Sequence, residues 1–291
     1  MKPIIIEARV NEYAMRTGNR HIPWTASELA NAARECEGAG ASVIHFHARD
    51  TDGAPAFGFE VYRAAIEAIR AASGLLVYPT LGADTAGAEA SSRIAHIKAL
   101  AGVGLAPDLA PIDMGSTNVD RLTPDGSWLE TEGRVYLNSV PTLKFFAARF
   151  RELGVRPQLV HWNLPMLRMT RLFLENGLID PVPYLLLGLS AKSLALHPPD
   201  LVGLAAYEGF LPSLGPTEWT VHCSGGDLLP LVPHIARQGG HISIGIGDYD
   251  YRELGEPTNA SVVERAVAIA RRYGREPATP EEARALLRIG N

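Results

Sequence analysis

Thr25-Ala-Ser-Glu28, Gly38-Ala-Gly-Ala41 and Ser42-Val-Ile-His-Phe-His47 together carry one complete helix-then-strand unit, and that unit decides the fold. The first has the spacing of a capping box and predicts a helix running to about Cys36. The glycines turn the chain, and the apolar, β-branched run at 42–47 reads as a strand. Similar units extend in both directions. Upstream, Pro3-Ile-Ile-Ile-Glu-Ala-Arg-Val10 reads as a first strand. Downstream, a helix near 59–72 precedes a strand at 75–80, a helix at 89–101 precedes 108–112, a helix at 141–153 precedes 158–162, and a helix at 165–176 precedes 184–188. Strands at 219–223 and 241–246 flank a helix near 227–238, and helices at 259–273 and 280–288 follow. The last is opened by Thr279-Pro-Glu-Glu282 with proline at its first position. The Pro- and Gly-rich stretch 196–218 reads as a long loop.

Eight strands alternating with helices predict parallel strands with helical crossovers, closed as a TIM (β/α)8 barrel in one domain over 1–291. The alternative, an open doubly wound sheet, usually carries a glycine-rich phosphate turn after its first strand, and Val10-Asn-Glu-Tyr-Ala-Met15 has none. The chain has 291 residues, 46% hydrophobic and 20% charged, which fits a globular protein and not a disordered one. A formal net charge of −5 and the lack of any long basic run argue against nucleic acid or an anionic membrane as partner. No apolar run approaches the ~18 residues of a membrane span, and charge arrives too early for a signal-peptide core. These features predict a soluble, cytoplasmic protein. Cys36 and Cys223 are far apart in sequence and read as free thiols, with a catalytic thiol at Cys223 the lesser option.

Barrel enzymes carry their sites at the C-terminal ends of the strands. His45 and His47 fall there, two apart on one strand and therefore on one face, where two imidazoles can converge on a divalent cation such as Zn²⁺. Two core histidines bonded to backbone carbonyls are the other reading. A catalytic zinc site needs a third protein ligand and an open position. Glu12 and Asp248 are placed to act as a general base or to orient one, and otherwise are solvated charges or caps. Thr80 and Gly82 end the strand at 75–80, Asp113 and Ser116 follow that at 108–112, and His222 ends that at 219–223. Arg49 could clamp a carboxylate or pair with Asp50 or Asp52, whereas His241 starts its strand and suits a stabilising role at the barrel bottom.

Pro23-Trp-Thr-Ala-Ser-Glu28, Ala39-Gly-Ala-Ser-Val-Ile-His-Phe-His-Ala-Arg-Asp50, Pro107-Asp-Leu-Ala110, Gly239-Gly-His-Ile-Ser-Ile-Gly-Ile-Gly-Asp248 and the tail 274–284 resemble, in order and spacing, the β-keto acid cleavage enzyme family, that of the 3-keto-5-aminohexanoate cleavage enzymes. The resemblance implies a TIM barrel, a homo-oligomer (dimer or tetramer), and Zn²⁺ or another divalent metal held partly by His45 and His47. It also implies condensation of a small β-keto acid with acetyl-CoA, giving acetoacetate and a new CoA thioester. It assigns Asp248 to generation of the nucleophile, Thr80 to a hydroxyl position, and Glu12, across a one-residue gap, to a glutamate after the first strand. Three departures mark a divergent subgroup: Ser243 stands where the family pattern has arginine, Gly247 where it has a ligand glutamate, and Val160 where it has a strand glutamate. His222 is then the first candidate for third ligand, with Glu12 and Asp248 behind it. Arg49, Gly82, Asp113, Ser116 and Ser243 are the expected substrate contacts. Loss of a cation and an anion together would leave the net charge of the site unchanged. Rival readings are a metal-dependent lyase or hydrolase that uses no CoA, and a ligand-binding relative without activity.

Overall fold

The computed structural model describes residues 1–81 and 89–290. Its main sheet is built from β1 (Ile6–Arg9), β2 (Val43–Phe46), β3 (Leu76–Pro79) and β4 (Leu109–Asp113), then, after a two-stranded hairpin of β5 (Thr117–Asn118) and β6 (Val135–Tyr136), from β7 (Arg156–His161), β8 (Tyr184–Ser190), β9 (Glu218–Ser224) and β10 (His241–Ile244). Eight strands pair in the order β3-β2-β1-β10-β9-β8-β7-β4, and every ladder between them is parallel. The two end strands meet through one residue. Asp108 donates its backbone N–H to the Val77 carbonyl at 3.0 Å and accepts the Val77 N–H on Oδ2 at 2.8 Å, so an aspartate side chain supplies the acceptor that a full strand ladder would have given. The result is a nearly closed TIM-type barrel.

Ten helices cover and close it: α1 (Ala26–Ala39), α2 (Phe59–Ala72), α3 (Ala90–Arg93), α4 (Ala95–Gly102), α5 (Val140–Leu153), α6 (Leu164–Glu175), α7 (Leu201–Glu208), α8 (Val232–Gln238), α9 (Asn259–Arg272) and α10 (Pro280–Leu286) are those among the described residues. The capping box at Thr25–Glu28 forms with both reciprocal bonds, as does that at Thr279–Glu282. Two expectations are corrected. The stretch 196–218 is not one long loop: Asp200 caps α7 by accepting the Gly203 N–H, and a 3-10 turn follows at Leu211–Leu214. The helix expected at 89–101 is interrupted at Ile94 into α3 and α4. Among the described residues, no helix is long and apolar enough to cross a membrane.

Strand alternation sorts the core into two parts. Side chains such as Ile44, Val221 and Ile242 face outward into the shell beneath the helices. Ile5, Val43, Leu76, Leu109 and Tyr184 form a second cluster with Ala283, Leu287 and Ile289, so α10 and its tail plug the N-terminal end of the barrel. Above that floor lies a polar layer in which Glu7 accepts hydrogen bonds from Gln158 Nε2 at 2.5 Å and from the Tyr184 hydroxyl. At the bottom, His241 Nδ1 accepts the Ile5 N–H at 2.9 Å and Nε2 donates to Glu218 at 2.8 Å, tying β1, β9 and β10 together.

Burial holds several histidines neutral. It pushes His161 down to about 3, and His96 and His241 to about 4. A depressed histidine contributes stability that is complete above the unfolded value near 6.5 and is lost as pH falls from there toward the folded value. Each such group is expected to cost about 2 kcal/mol between pH 7 and pH 5. Urea denaturation at both pH values checks this with His161→Gln, which removes one of them: the variant should lose about 2 kcal/mol less than the wild type over the interval, and equal losses would contradict the assignment.

Candidate metal centre at the barrel mouth

β2 delivers His45 from its ladder and His47 just beyond it, both buried and both aimed at the C-terminal mouth. The third member comes from the loop after β1. Glu12 Oε1 lies 3.2 Å from His45 Nε2 and Oε2 lies 2.9 Å from His47 Nε2. One ligand atom from each residue falls within 4.8 Å of the others. The hydrogen-bond chemistry fits a cation. His45 Nδ1 stands 2.9 Å from the Tyr78 carbonyl, which can only accept, so Nδ1 carries the hydrogen and a neutral ring presents a bare lone pair at Nε2. Burial, more than the opposing pull of Glu12, lowers His45 to about 4 and keeps that ring neutral. Burial works against the Glu12 charge, yet Arg9, then His45 and His47, outweigh it and hold the carboxyl well below the usual range. An imidazole lone pair and a carboxylate oxygen thus face each other, and Glu12 Oε1 is buried without a hydrogen-bond partner. Two nitrogens and a carboxylate are a donor set suited to zinc with one position open, and the Tyr78 carbonyl behind His45 fixes ring orientation as outer partners of metal histidines do.

The backbone pays for this placement. Glu12 sits at φ 38°, in the left-handed region that a non-glycine residue seldom adopts. Asn11, beside it, uses both ends of its amide on the backbone of His47, accepting from N–H and donating to C=O at 2.9 Å each, so the loop is zipped to the end of β2. A Cβ on Gly247 would lie 2.7–2.8 Å from Asn11 N, Asn11 C and Glu12 N. The absence of a side chain at Gly247 is therefore what admits the segment that carries Glu12. The donor that the resemblance places at 247 arrives here from the opposite side.

The missing cation is likewise supplied from β1. Arg9, buried, places Nη2 2.9 Å from Glu12 Oε1 and Nε 2.8 Å from Asp248 Oδ2. The expected paired loss of cation and anion is corrected accordingly: both charges are present, relocated to Arg9 and Glu12. Ser243, paired in register with Glu7, lies a layer below in the barrel interior. His222 stands outside the triad, with Nδ1 3.7 Å from Asp248 Oδ2. Arg9 was missed in the sequence, although Ile6-Glu-Ala-Arg9 puts Glu7 and Arg9 on one strand face and signals a charged interior.

Other expected contacts have partners already. Asp113 accepts from the Tyr136 hydroxyl at 2.5 Å and from Trp162 Nε1 at 2.7 Å, while Ser116 Oγ accepts the Asn138 N–H at 2.8 Å. Both anchor the hairpin segment to the barrel. Arg49 Nη2 donates to the Ala14 carbonyl at 2.5 Å and pins the loop after β1. Thr80 closes β3, its carbonyl 3.0 Å from His96 Nε2, and Gly82 lies outside the described residues. Cys223 points away from His222, and burial pushes its thiol up to about 12, against a thiolate nucleophile.

A family model described as "beta-keto acid cleavage enzyme" matches residues 3–289. The chain is 28% identical over 295 residues to a 3-keto-5-aminohexanoate cleavage enzyme of Acetoanaerobium sticklandii, covering 99% of each. It is 27% identical to a 3-oxoadipate:acetyl-CoA acetyltransferase of Cupriavidus necator, covering 98% of this chain and 95% of that one. Among solved structures, apo ObcA superposes with a TM-score of 0.71 at 16% identity over 93% of this chain and 66% of the other, a likeness of fold.

Elemental analysis and zinc titration of the purified protein are expected to show one tightly held cation per chain. His45→Ala should weaken binding by at least about 10-fold, and so should Gly247→Ala, whose Cβ displaces Glu12 without touching a ligand atom. Equal, negligible zinc in wild type and His45→Ala would contradict the centre.

Proposed function

The chain belongs to the β-keto acid cleavage enzyme family, and from that premise we propose that it catalyses a metal-dependent exchange between a small β-keto acid and acetyl-CoA. The acyl group of the keto acid would pass to CoA as a new thioester, and its CH₂–COO⁻ unit would join the acetyl group as acetoacetate, so all atoms are conserved. The supporting observation is the cluster of Glu12, His45 and His47 at the mouth of a barrel whose sequence matches this family nearly end to end. Relatives named for cleavage of 3-keto-5-aminohexanoate and for transfer between 3-oxoadipate and acetyl-CoA support the substrate class and the co-substrate.

Zn²⁺ suits two imidazoles and a carboxylate, and when bound it would act as a Lewis acid toward the keto oxygen. Glu12, His45 and His47 would hold it, while Arg9 keeps Glu12 anionic and fixes Asp248 beside it. Formal charges support an anionic substrate. Glu12 and Asp248 give −2 and Arg9 returns +1, leaving −1; a divalent ion brings the mouth to +1, which a carboxylate then neutralises. Opposite the metal residues, Val160 of β7 pairs in register with Leu186 of β8, both buried, so that stretch of wall is apolar where the family pattern has a glutamate. We assign the proton-handling side of the site to Asp248 and its neighbours, and a hydroxyl contact to Thr80.

A panel of β-keto acids with acetyl-CoA, assayed for acetoacetate and for the new thioester, tests this reading. At least one member should turn over, chelation should abolish turnover and Zn²⁺ restore it, and Asp248→Asn should lower kcat by about 10²–10⁴. A flat result across the panel, or conversion that proceeds equally without acetyl-CoA, would overturn it.

A further inference from the structure

His222 is a buried imidazole, 7% exposed, that the metal cluster leaves unused. It lies on the interior face of β9, since Val221 and Cys223 on either side belong to the outward-facing core. Its Nδ1 makes no hydrogen bond and stands 3.7 Å from Asp248 Oδ2. That oxygen is itself 2.8 Å from Arg9 Nε, although neither atom has an aligned hydrogen-bond partner. The other edge of the ring faces Gly188, its register partner on β8, where Nε2 would lie 3.1 Å from an added Cβ. Glycine there leaves open the interior space that the ring edge faces. One edge of the imidazole thus meets a carboxylate fixed by a buried arginine, and the opposite edge meets room for a ligand.

We propose that His222 is the general base of the reaction, taking the proton from C2 of the bound β-keto acid at Nε2, with Asp248 as the positioning residue at Nδ1 and Arg9 holding Asp248 in place. This rests on the function proposed above. In the step, the C2–H bond breaks, an N–H bond forms at Nε2, and the electron pair stays on the keto acid as its enolate; the same nitrogen returns the proton once the new C–C bond has formed and the old one has broken. An aspartate at Nδ1 selects the tautomer whose Nε2 is free to accept, as in carboxylate-oriented imidazole bases generally. Imidazole is also the side chain whose ordinary protonation range matches a neutral-pH base, whereas Asp248 Oδ2 is already spoken for by Arg9.

Exchange of the C2 protons of acetoacetate in D₂O, followed by NMR on zinc-loaded protein without CoA, reads this step alone. Wild type should accelerate exchange above the buffer rate. His222→Gln should lower the enzyme-catalysed rate by about 10²-fold or more with zinc content and acetoacetate binding retained, and the double variant with Asp248→Asn should be no slower than the slower single one. Independently of activity, ¹⁵N signals of His222 should show hydrogen at Nδ1 and should change in Asp248→Asn. Full exchange in His222→Gln beside a dead Asp248→Asn would make Asp248 the base and overturn the proposal. Loss of zinc in His222→Gln would make it a ligand and overturn it equally. Wild type with neither exchange nor acetoacetate formation on the panel removes the functional reading as well, whereas normal wild-type turnover with an unaffected His222→Gln removes only this inference.

Discussion

A guanidinium buried in a barrel interior must be paired or it costs the fold several kcal/mol. Arg9 meets that demand with two carboxylates, Glu12 and Asp248, and in doing so fixes the electrostatics of the whole mouth. It keeps Glu12 ionised against burial and next to imidazoles that burial keeps neutral. Three donors held in that state, with lone pairs facing one another, have no stable use for one another without a cation between them. The same arginine sets Asp248 beside His222, so the two halves of the site share one anchor.

The rest of the barrel holds β1 where Arg9 needs it. Below Arg9 on the same strand face, Glu7 is tied to Gln158 and Tyr184, its carboxyl pushed up by burial. Below that, α10 closes the floor, and Arg284 from α10 donates to Asp108 at 2.6 Å, the residue that seals β3 to β4. The glycine at 247 lets the loop after β1 turn inward over this stack, and Asn11 fastens it to β2.

Much of this was legible in the sequence because it depends on local pattern. Apolar runs of strand length, capping boxes at Thr25 and Thr279 and the alternation of strand and helix lead to the barrel, and His45-Phe46-His47 leads to its metal side. What was not legible depends on pairing across the sheet. The residues that complete the mouth, Arg9 and Glu12, lie on and just after the strand beside β10, and no spacing rule connects Ser243 or Gly247 to them; only the β1–β10 register does. Asp113 reads as a free carboxylate until the partners of its two oxygens, Tyr136 and Trp162, are brought to it by the hairpin segment and by β7. The helix α7 was hidden because its flanks are proline- and glycine-rich, although Asp200 at its start is an ordinary cap.

Anomalous diffraction at the zinc edge from crystals of zinc-loaded protein tests the central claim most directly. The account predicts a single strong peak within about 2.0–2.2 Å of His45 Nε2, His47 Nε2 and a Glu12 oxygen, with Arg9 still bridging Glu12 and Asp248. A peak bound instead to His222, or none at the mouth at full loading, would contradict it.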